Sequence, residues 1–181
     1  MRTVTSISMM ARFARDHSGI SAVEFALILP MMLSIYLGTV ELSQAVAVDR
    51  KVTLTSRTLA DLASQVSSIN NADMTNILNA TAAVISPFDT TKLKVVVSAV
   101  NIDNNGNATI GWSDTLNGTK HSVGATVTVP TGLKVNNTTL IWGEATYVYT
   151  PMVGYVITGN MNLSDQIYMR PRLSASVARV P

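Results

Sequence analysis

Between Phe25 and Val40 the chain carries no charged side chain, and the wider stretch Ile20–Val48 carries only Glu24 and Glu41. Wound as an α-helix, the wider stretch measures about 43 Å and its uncharged part about 24 Å. That is slightly short for the hydrocarbon layer of a bilayer, and sufficient when polar ends sit in the interfaces. The helical pattern does not stop there. Ala45, Val48, Val52, Thr55, Leu59, Leu62, Val66 and Ile69 alternate spacings of three and four, which predicts one stripe running about seven turns past the apolar segment. Asp49, Arg50, Thr53, Arg57, Asp61 and Ser64 fall on the other, solvated face. The stripe is expected to pack chiefly on the chain's own globular domain, with coiled-coil-like contacts to neighbouring subunits as the alternative. Asn70-Asn71 interrupts the pattern, and a second helix is predicted from Asp73 to Val84, with Met74, Ile77, Leu78 and Thr81 on one face and Pro87 as its stop.

From Lys92 the pattern changes to that of strands. Leu93–Ile102 is rich in Val, Asp103-Asn104-Asn105-Gly106-Asn107 is dense turn chemistry, and Thr109–Trp112 resumes the strand pattern. Val123, Ala125, Val127 and Val129 alternate with small or hydroxyl residues up to Pro130, predicting a further strand. Ala145, Tyr147 and Tyr149 alternate with Thr146, Val148 and Thr150 in another, and a last strand is predicted over Gln166–Arg170. Four to six mostly antiparallel strands, without the strand–helix alternation of a parallel sheet, give an α+β class. The expected architecture is a long N-terminal transmembrane helix that continues into an amphipathic helix packed on a mostly antiparallel β-sheet.

Length and charge narrow the function. A chain of 181 residues holds one domain plus an appendage, or at most two small units. It has no cysteine, which excludes a disulfide framework and a thiolate metal site but leaves the compartment open. Residues 1–19 carry Arg2, Arg12 and Arg15 against Asp16, and the remainder is balanced at ten basic and ten acidic residues. With no basic patch interleaved with aromatics, no nucleic-acid partner is expected. Arg12 and Arg15 precede the apolar segment, while Asp49, Arg50 and Lys51 follow it. This bias favours a cytoplasmic N-terminus and an exported C-terminal body. A secretory signal peptide would have an apolar core of about 7–15 residues ending at a small-residue site. Ala45-Val46-Ala47 resembles such a site, but the apolar run is longer and passes into a helical pattern without a break.

Glu24 is the most informative single residue. An acidic side chain at the centre of a membrane helix costs about 2.5–3.5 kcal/mol, and less near the interface. A partner charge offsets that cost, and cleavage after Gly19 would create one in the α-ammonium of Ile20. The plainer reading is a carboxylate that snorkels at the interface. Pro30 removes a backbone donor and is expected to kink or loosen the helix between Ala26 and Pro30, and Gly38 lies in the same apolar run. Asn101-Ile-Asp103-Asn-Asn105-Gly106 mimics the first half of a calcium loop, but Trp112 stands where the bidentate Glu belongs, so a hairpin turn is expected and no metal. His17 and His121 have no nucleophile motif near them, and Asp103, Asp114, Glu144 and Asp165 show no pairing by motif. The expectation is a protein without catalytic residues or cofactor.

The stretch Ser18-Gly19-Ile-Ser-Ala-Val-Glu24-Phe25-Ala-Leu-Ile-Leu-Pro30, followed by Gly38-Thr-Val-Glu41-Leu42, resembles the N-terminal signature of TadE-like pseudopilins. These are minor pilin-like proteins of the tight-adherence (Flp) type IV pilus system of bacteria. Tyr147-Val-Tyr149-Thr-Pro151 and Met169-Arg170-Pro171-Arg172 look like that family's aromatic-Pro strand and terminal Arg-Pro-Arg strand, while roughly residues 70–140 lie outside the resemblance. The resemblance implies cleavage between Gly19 and Ile20 by an aspartic prepilin peptidase, with Glu24 becoming the fifth residue of the mature chain. It implies charge neutralisation at Glu24 and helix packing beside Phe25, which stands where pilins of this system often carry Tyr. The implied partners are prepilin peptidase, other pilins and pseudopilins, and the inner-membrane assembly platform. The chain then divides into a cytoplasmic leader (1–19), a transmembrane and assembly helix (20–48), an amphipathic helical region (49–86) and a β-rich periplasmic head (87–181). The alternative is an uncleaved single-pass scaffold of the same apparatus.

Overall fold

The computed structural model describes residues 18–151, 154 and 158–181, so most of the expected leader lies outside the described residues. Helix α1 spans Ser18–Ser64, about 70 Å at 1.5 Å per residue. Its buried face begins at Glu41 and continues through Ala45, Val48, Val52, Thr55 and Leu59, as the spacing predicts. Near its end the face widens into the small residues Ser56, Ala60, Ala63 and Ser64. Ser64, expected on the solvated face, is therefore buried: its hydroxyl donates to the Asp61 carbonyl at 2.8 Å, and its carbonyl accepts from the Arg172 amide at 2.9 Å.

The helix ends before the stripe does. Leu62 and Val66 are half-buried, and Ile69 is buried in a short strand β1, Ser68–Ile69. Val66, Ser67, Ser68 and Ile69 are β-branched or hydroxyl residues of modest helix propensity, and β1 pairs in parallel with β6, Ala178–Arg179, near the C-terminus. Asn70 then caps α2, Asn71–Ala83, through a capping box in which its side chain accepts from the Asp73 amide at 2.8 Å. Met74, Leu78, Thr81 and Ala82 are buried on α2, while Ile77 is half-buried. Lys51 of α1 donates to the Val84 carbonyl at the end of α2, 3.1 Å away.

The main sheet has four antiparallel strands in the order β3-β2-β4-β5. They are β2 (Leu93–Ile102), β3 (Ala108–Leu116), β4 (Thr138–Tyr149) and β5 (Met161–Met169). Leu93, Val95, Val97 and Ala99 of β2 face α1 together with Ile141, Ala145, Tyr147 and Tyr149 of β4. Each large aliphatic side chain so buried contributes about 1.5–3 kcal/mol. A register shift between Ala99 and Val100 marks an irregularity in β2. Val100, Ile102, Ala108, Ile110, Val129 and Leu140 form a second, smaller core.

Two expected strands are corrected. Val123–Val129 does not form a full strand. It is an extended segment lying along β3, with one bridge, Thr126 to Thr109, and backbone bonds joining Ala125 to Ile110 and Val127 to Ala108. Gly124 takes a positive φ of 80° and bends the chain at the front, which leaves Val123 exposed, and Pro130 closes the segment behind. β5 begins five residues before the expected Gln166 and stops at Met169, before Arg170. Asn162, Ser164 and Asp165 have low strand propensity, which hides the strand's first half, and Pro171 removes a donor just beyond its end.

The approach of helix to sheet is set at Gly143. A Cβ there would lie 2.8 Å from the Ser56 carbonyl oxygen and 3.0 Å from Ala60 Cβ. Backbone cannot yield as a side-chain tip can. Gly143→Ala should destabilise the chain by about 1–3 kcal/mol, read as a lowered thermal midpoint of the detergent-solubilised protein. Gly132→Ala, whose new Cβ meets nothing within 4 Å, should leave the midpoint unchanged.

Burial, with a nearby carboxylate in each case, raises the hydroxyl pKa of Tyr147, Tyr149 and Tyr168 above the ordinary 10.0. These groups hold their protons more tightly folded than unfolded, so the stability they contribute is complete below the unfolded pKa and lost as pH rises through the folded one. Stability should thus be flat through neutral pH and fall above pH about 10. A titration followed by phenolate absorbance should show these tyrosines ionising late, together with unfolding.

Candidate assembly site

Everything in α1 before Glu41 lies outside the fold that the sheet builds. Residues 19–33 are exposed throughout, and no residue from 34 to 40 is buried. Ile20, Phe25, Leu27, Met31 and Tyr36 each leave more than half their surface open, from 54% for Ile20 to 75% for Leu27. A helix that is apolar on all sides belongs inside a membrane or among other helices. Among the described residues, this is the helix long and apolar enough to cross a membrane, with a mean hydropathy of 2.0 over a window none of which is buried.

Gly19 is the second residue of α1, and a Cβ there would meet nothing within 4 Å. Packing among the described residues therefore makes no demand for glycine. Ile20 and Glu24 are four residues apart on one helix and so share a face, with Phe25 beside them and all three exposed. The helix continues through Pro30, whose ring removes the N–H that would reach the Ala26 carbonyl. Two hydroxyls within this stretch bond to the helix itself: Ser34 Oγ donates to the Pro30 carbonyl and Thr39 Oγ1 to the Ile35 carbonyl, each at 2.8 Å. Such back-bonding suits an apolar medium.

Glu41 marks the change of environment. It is 2% exposed, and the Tyr149 hydroxyl donates to its carbonyl at 3.4 Å. It lies four residues before Ala45, so the stripe read from the sequence extends back through it. That spacing was the available signal for its burial. The head thus closes onto α1 where the uncharged run stops.

The other sequence candidates resolve into structure-holding contacts. Asp103 accepts from the Asn105 and Asn107 amides at 2.8 and 2.7 Å and from the Asn107 side chain at 2.9 Å. These bonds, led by the Asn107 side chain, hold its carboxyl below the usual range. The turn is closed around its own carboxylate. Among the described residues no group of three or more His, Asp or Glu is placed to hold a metal ion.

His121 has a partner that no motif shows. Its Nε2 lies 2.6 Å from Glu144 Oε2, and its ring stacks on Trp142 at 4.7 Å, which stacks on Tyr168 at 5.5 Å. Trp142 Nε1 donates to Gln166 Oε1 at 3.0 Å. Strand alternation places Trp142 and Glu144 on the face opposite Gly143, so this group pins the extended 117–137 connection to the sheet's outer face. Further along, Arg172 pairs with Asp61 of α1, and Arg179 reaches Asp114 at 2.7 Å and Asn71 at 2.6 Å. β5 stops at Met169, so the Arg-Pro-Arg run lies past its end and not within a strand.

Residues 19–61 match the family model described as TadE-like protein. No curated protein and no solved structure matches the chain. The matched span contains the exposed apolar half of α1, the buried Glu41, and the helical turns beneath the sheet as far as Asp61, the partner of Arg172. The segment that crosses from the exposed to the buried half of α1 is therefore TadE-like.

Proposed function

We propose that this protein is a minor pseudopilin of the tight-adherence (Flp) pilus system, held in the bacterial inner membrane with its N-terminus cytoplasmic and its head periplasmic. Prepilin peptidase cuts between Gly19 and Ile20. The mature chain then associates through Ile20–Val48 with other pilins and pseudopilins on the inner-membrane assembly platform. The observation that carries this reading is the bare apolar half of α1, with Glu24 exposed on the same face as Ile20. The TadE-like match over residues 19–61 associates the chain with that pilus system in general.

The geometry fits association. A glycine that nothing in the fold requires stands at the proposed cut, where a peptidase needs an accessible, narrow backbone. A carboxylate within an apolar helix bundle must be neutralised, and the new α-ammonium of Ile20, in the same or an adjacent subunit, is of the right sign and place. Phe25 supplies ring surface for helix packing, and Pro30 a point where the helix can adjust as it leaves lipid. The head contributes a rigid body carried on the same helix. The protein is then a substrate of an enzyme and not itself a catalyst.

The test is a Glu24→Ala variant expressed in native membranes, with N-terminal mass spectrometry and a count of surface pili. The mature N-terminus should be Ile20 in wild type and variant alike, with piliation lost or strongly reduced in the variant. Glu24→Gln, which keeps the shape and removes the charge, should behave like Glu24→Ala. Retention of Met1 in the wild type, or normal piliation in both variants, would contradict the proposal.

A further inference from the structure

The end of the head nearest the membrane can be located from two contacts. Gly143 of β4 lies against Ser56 and Ala60, and Tyr149 at the end of the same strand lies against Glu41. β4 therefore runs back along α1 toward the apolar segment, and its C-terminal end faces the bilayer. Leu93, the first residue of β2, pairs with Tyr147, so the segment leading into β2 lies at that same end.

A cavity of about 320 Å³ opens there, lined by Gln44, Phe88, Lys92, Tyr147, Tyr149 and Thr150 among others. Its depth follows from the helix. Gln44 is four residues past Val40, about 6 Å along the axis, and the headgroup layer on each side of a bilayer is about 5–7 Å thick. A span that ends at Val40 thus holds this cavity at the level of the lipid headgroups. The lining fits that level. Half-buried Phe88 meets Tyr147 edge to face at 6.5 Å, and the edges of the largely buried Tyr147 and Tyr149 complete an aromatic wall. Lys92 supplies the cation, its Nζ donating to Thr150 Oγ1 at 3.3 Å and keeping further donors of its three. The neighbouring Asp89, whose charge also acts on Lys92 and Tyr147, accepts from the Thr91 amide and hydroxyl at 2.9 and 2.8 Å, so those two donors partly satisfy it.

We infer that this cavity takes the phosphate-bearing headgroup of a phospholipid from the membrane that α1 crosses, with Lys92 on the phosphate and the aromatic wall against the adjoining glycerol and acyl carbons. The seated lipid fixes the head upright on the membrane surface. The inference rests on α1 spanning a bilayer and does not depend on the pilus assignment.

The chain has no cysteine, so a fluorophore can be placed at the exposed Thr90→Cys near Lys92, or at Asn105→Cys in the distant hairpin. The full chain is reconstituted in phosphatidylglycerol nanodiscs, with and without a phospholipid that carries a nitroxide on its headgroup. Quenching is expected at position 90 and not at 105. Lys92→Glu should lower the docked-to-undocked ratio at least about fivefold, the worth of one lysine at an anionic headgroup layer. Lys92→Gln, the milder change, should shift it in the same direction. Equal quenching at 90 and 105, or quenching at 90 unaltered by both Lys92 variants, would overturn the inference. Recovery of fluorescence on adding inorganic phosphate would assign the site to a soluble anion and overturn the lipid as occupant. The mature N-terminus, read on the same samples, reports on processing separately.

Discussion

One unbroken helix serves two surroundings, and the point where they meet is fixed by the reach of the sheet. From Glu41 onward, α1 is covered by β2, β4 and β5, with Gly143 allowing the backbones of helix and strand to come within contact distance. Before Glu41 nothing in the described chain buries it. Apolar surface of that extent is stable only when something else removes it from water. The head's compactness thus creates a requirement for a membrane or for neighbouring helices, and the rest of the molecule is arranged around that requirement.

The arrangement explains why the same residue types behave differently along α1. In the exposed half, hydroxyls bond back to the helix, and Glu24 stands exposed on the same face as Ile20. In the buried half, small residues such as Ser56 and Ala60 permit close packing, and Glu41 is enclosed beside Tyr149. The C-terminal segment reinforces this half from outside. Arg172 ties it to Asp61 of α1, while Arg179 joins β3, β1 and the start of α2. Long-range contacts of this kind tie the head to the last turns of a helix about 70 Å long.

Periodicity made most of this legible in advance. Leu93–Ile102 and the alternation at Ala145, Tyr147 and Tyr149 stand where β2 and β4 do, because half-buried strands carry a two-residue pattern. The stripe on α1 was readable up to Leu59 for the same reason. It failed over Val66 and Ile69, where pairing with β6, more than a hundred residues away, outweighed local spacing. The segment Val123–Val129 kept its alternation but not its strand, since Gly124 turns the backbone at its start. The His121–Glu144 pair and the Trp142–Tyr168 stack were invisible because they unite a turn with two strands. For the candidate site, the apolar run and the position of Glu24 were plain from the residues alone, whereas the burial of Glu41 was signalled only by its spacing from Ala45, against the usual exposure of a carboxylate.

The central claim is that the half of α1 before Glu41 is shielded by its surroundings and not by its own head. Single cysteines introduced at Leu27, Leu33, Ile35 and Tyr36 sample several faces of that half, and Leu54, half exposed on the head-bearing part, serves as the reference. In intact membranes treated with a membrane-impermeant maleimide, the account predicts labelling at 54 and none at the other four positions, with all five reacting once the membrane is dissolved and the chain unfolded. Labelling of one helical face between 27 and 36 in intact membranes would show water reaching that half of the helix, and would contradict the account.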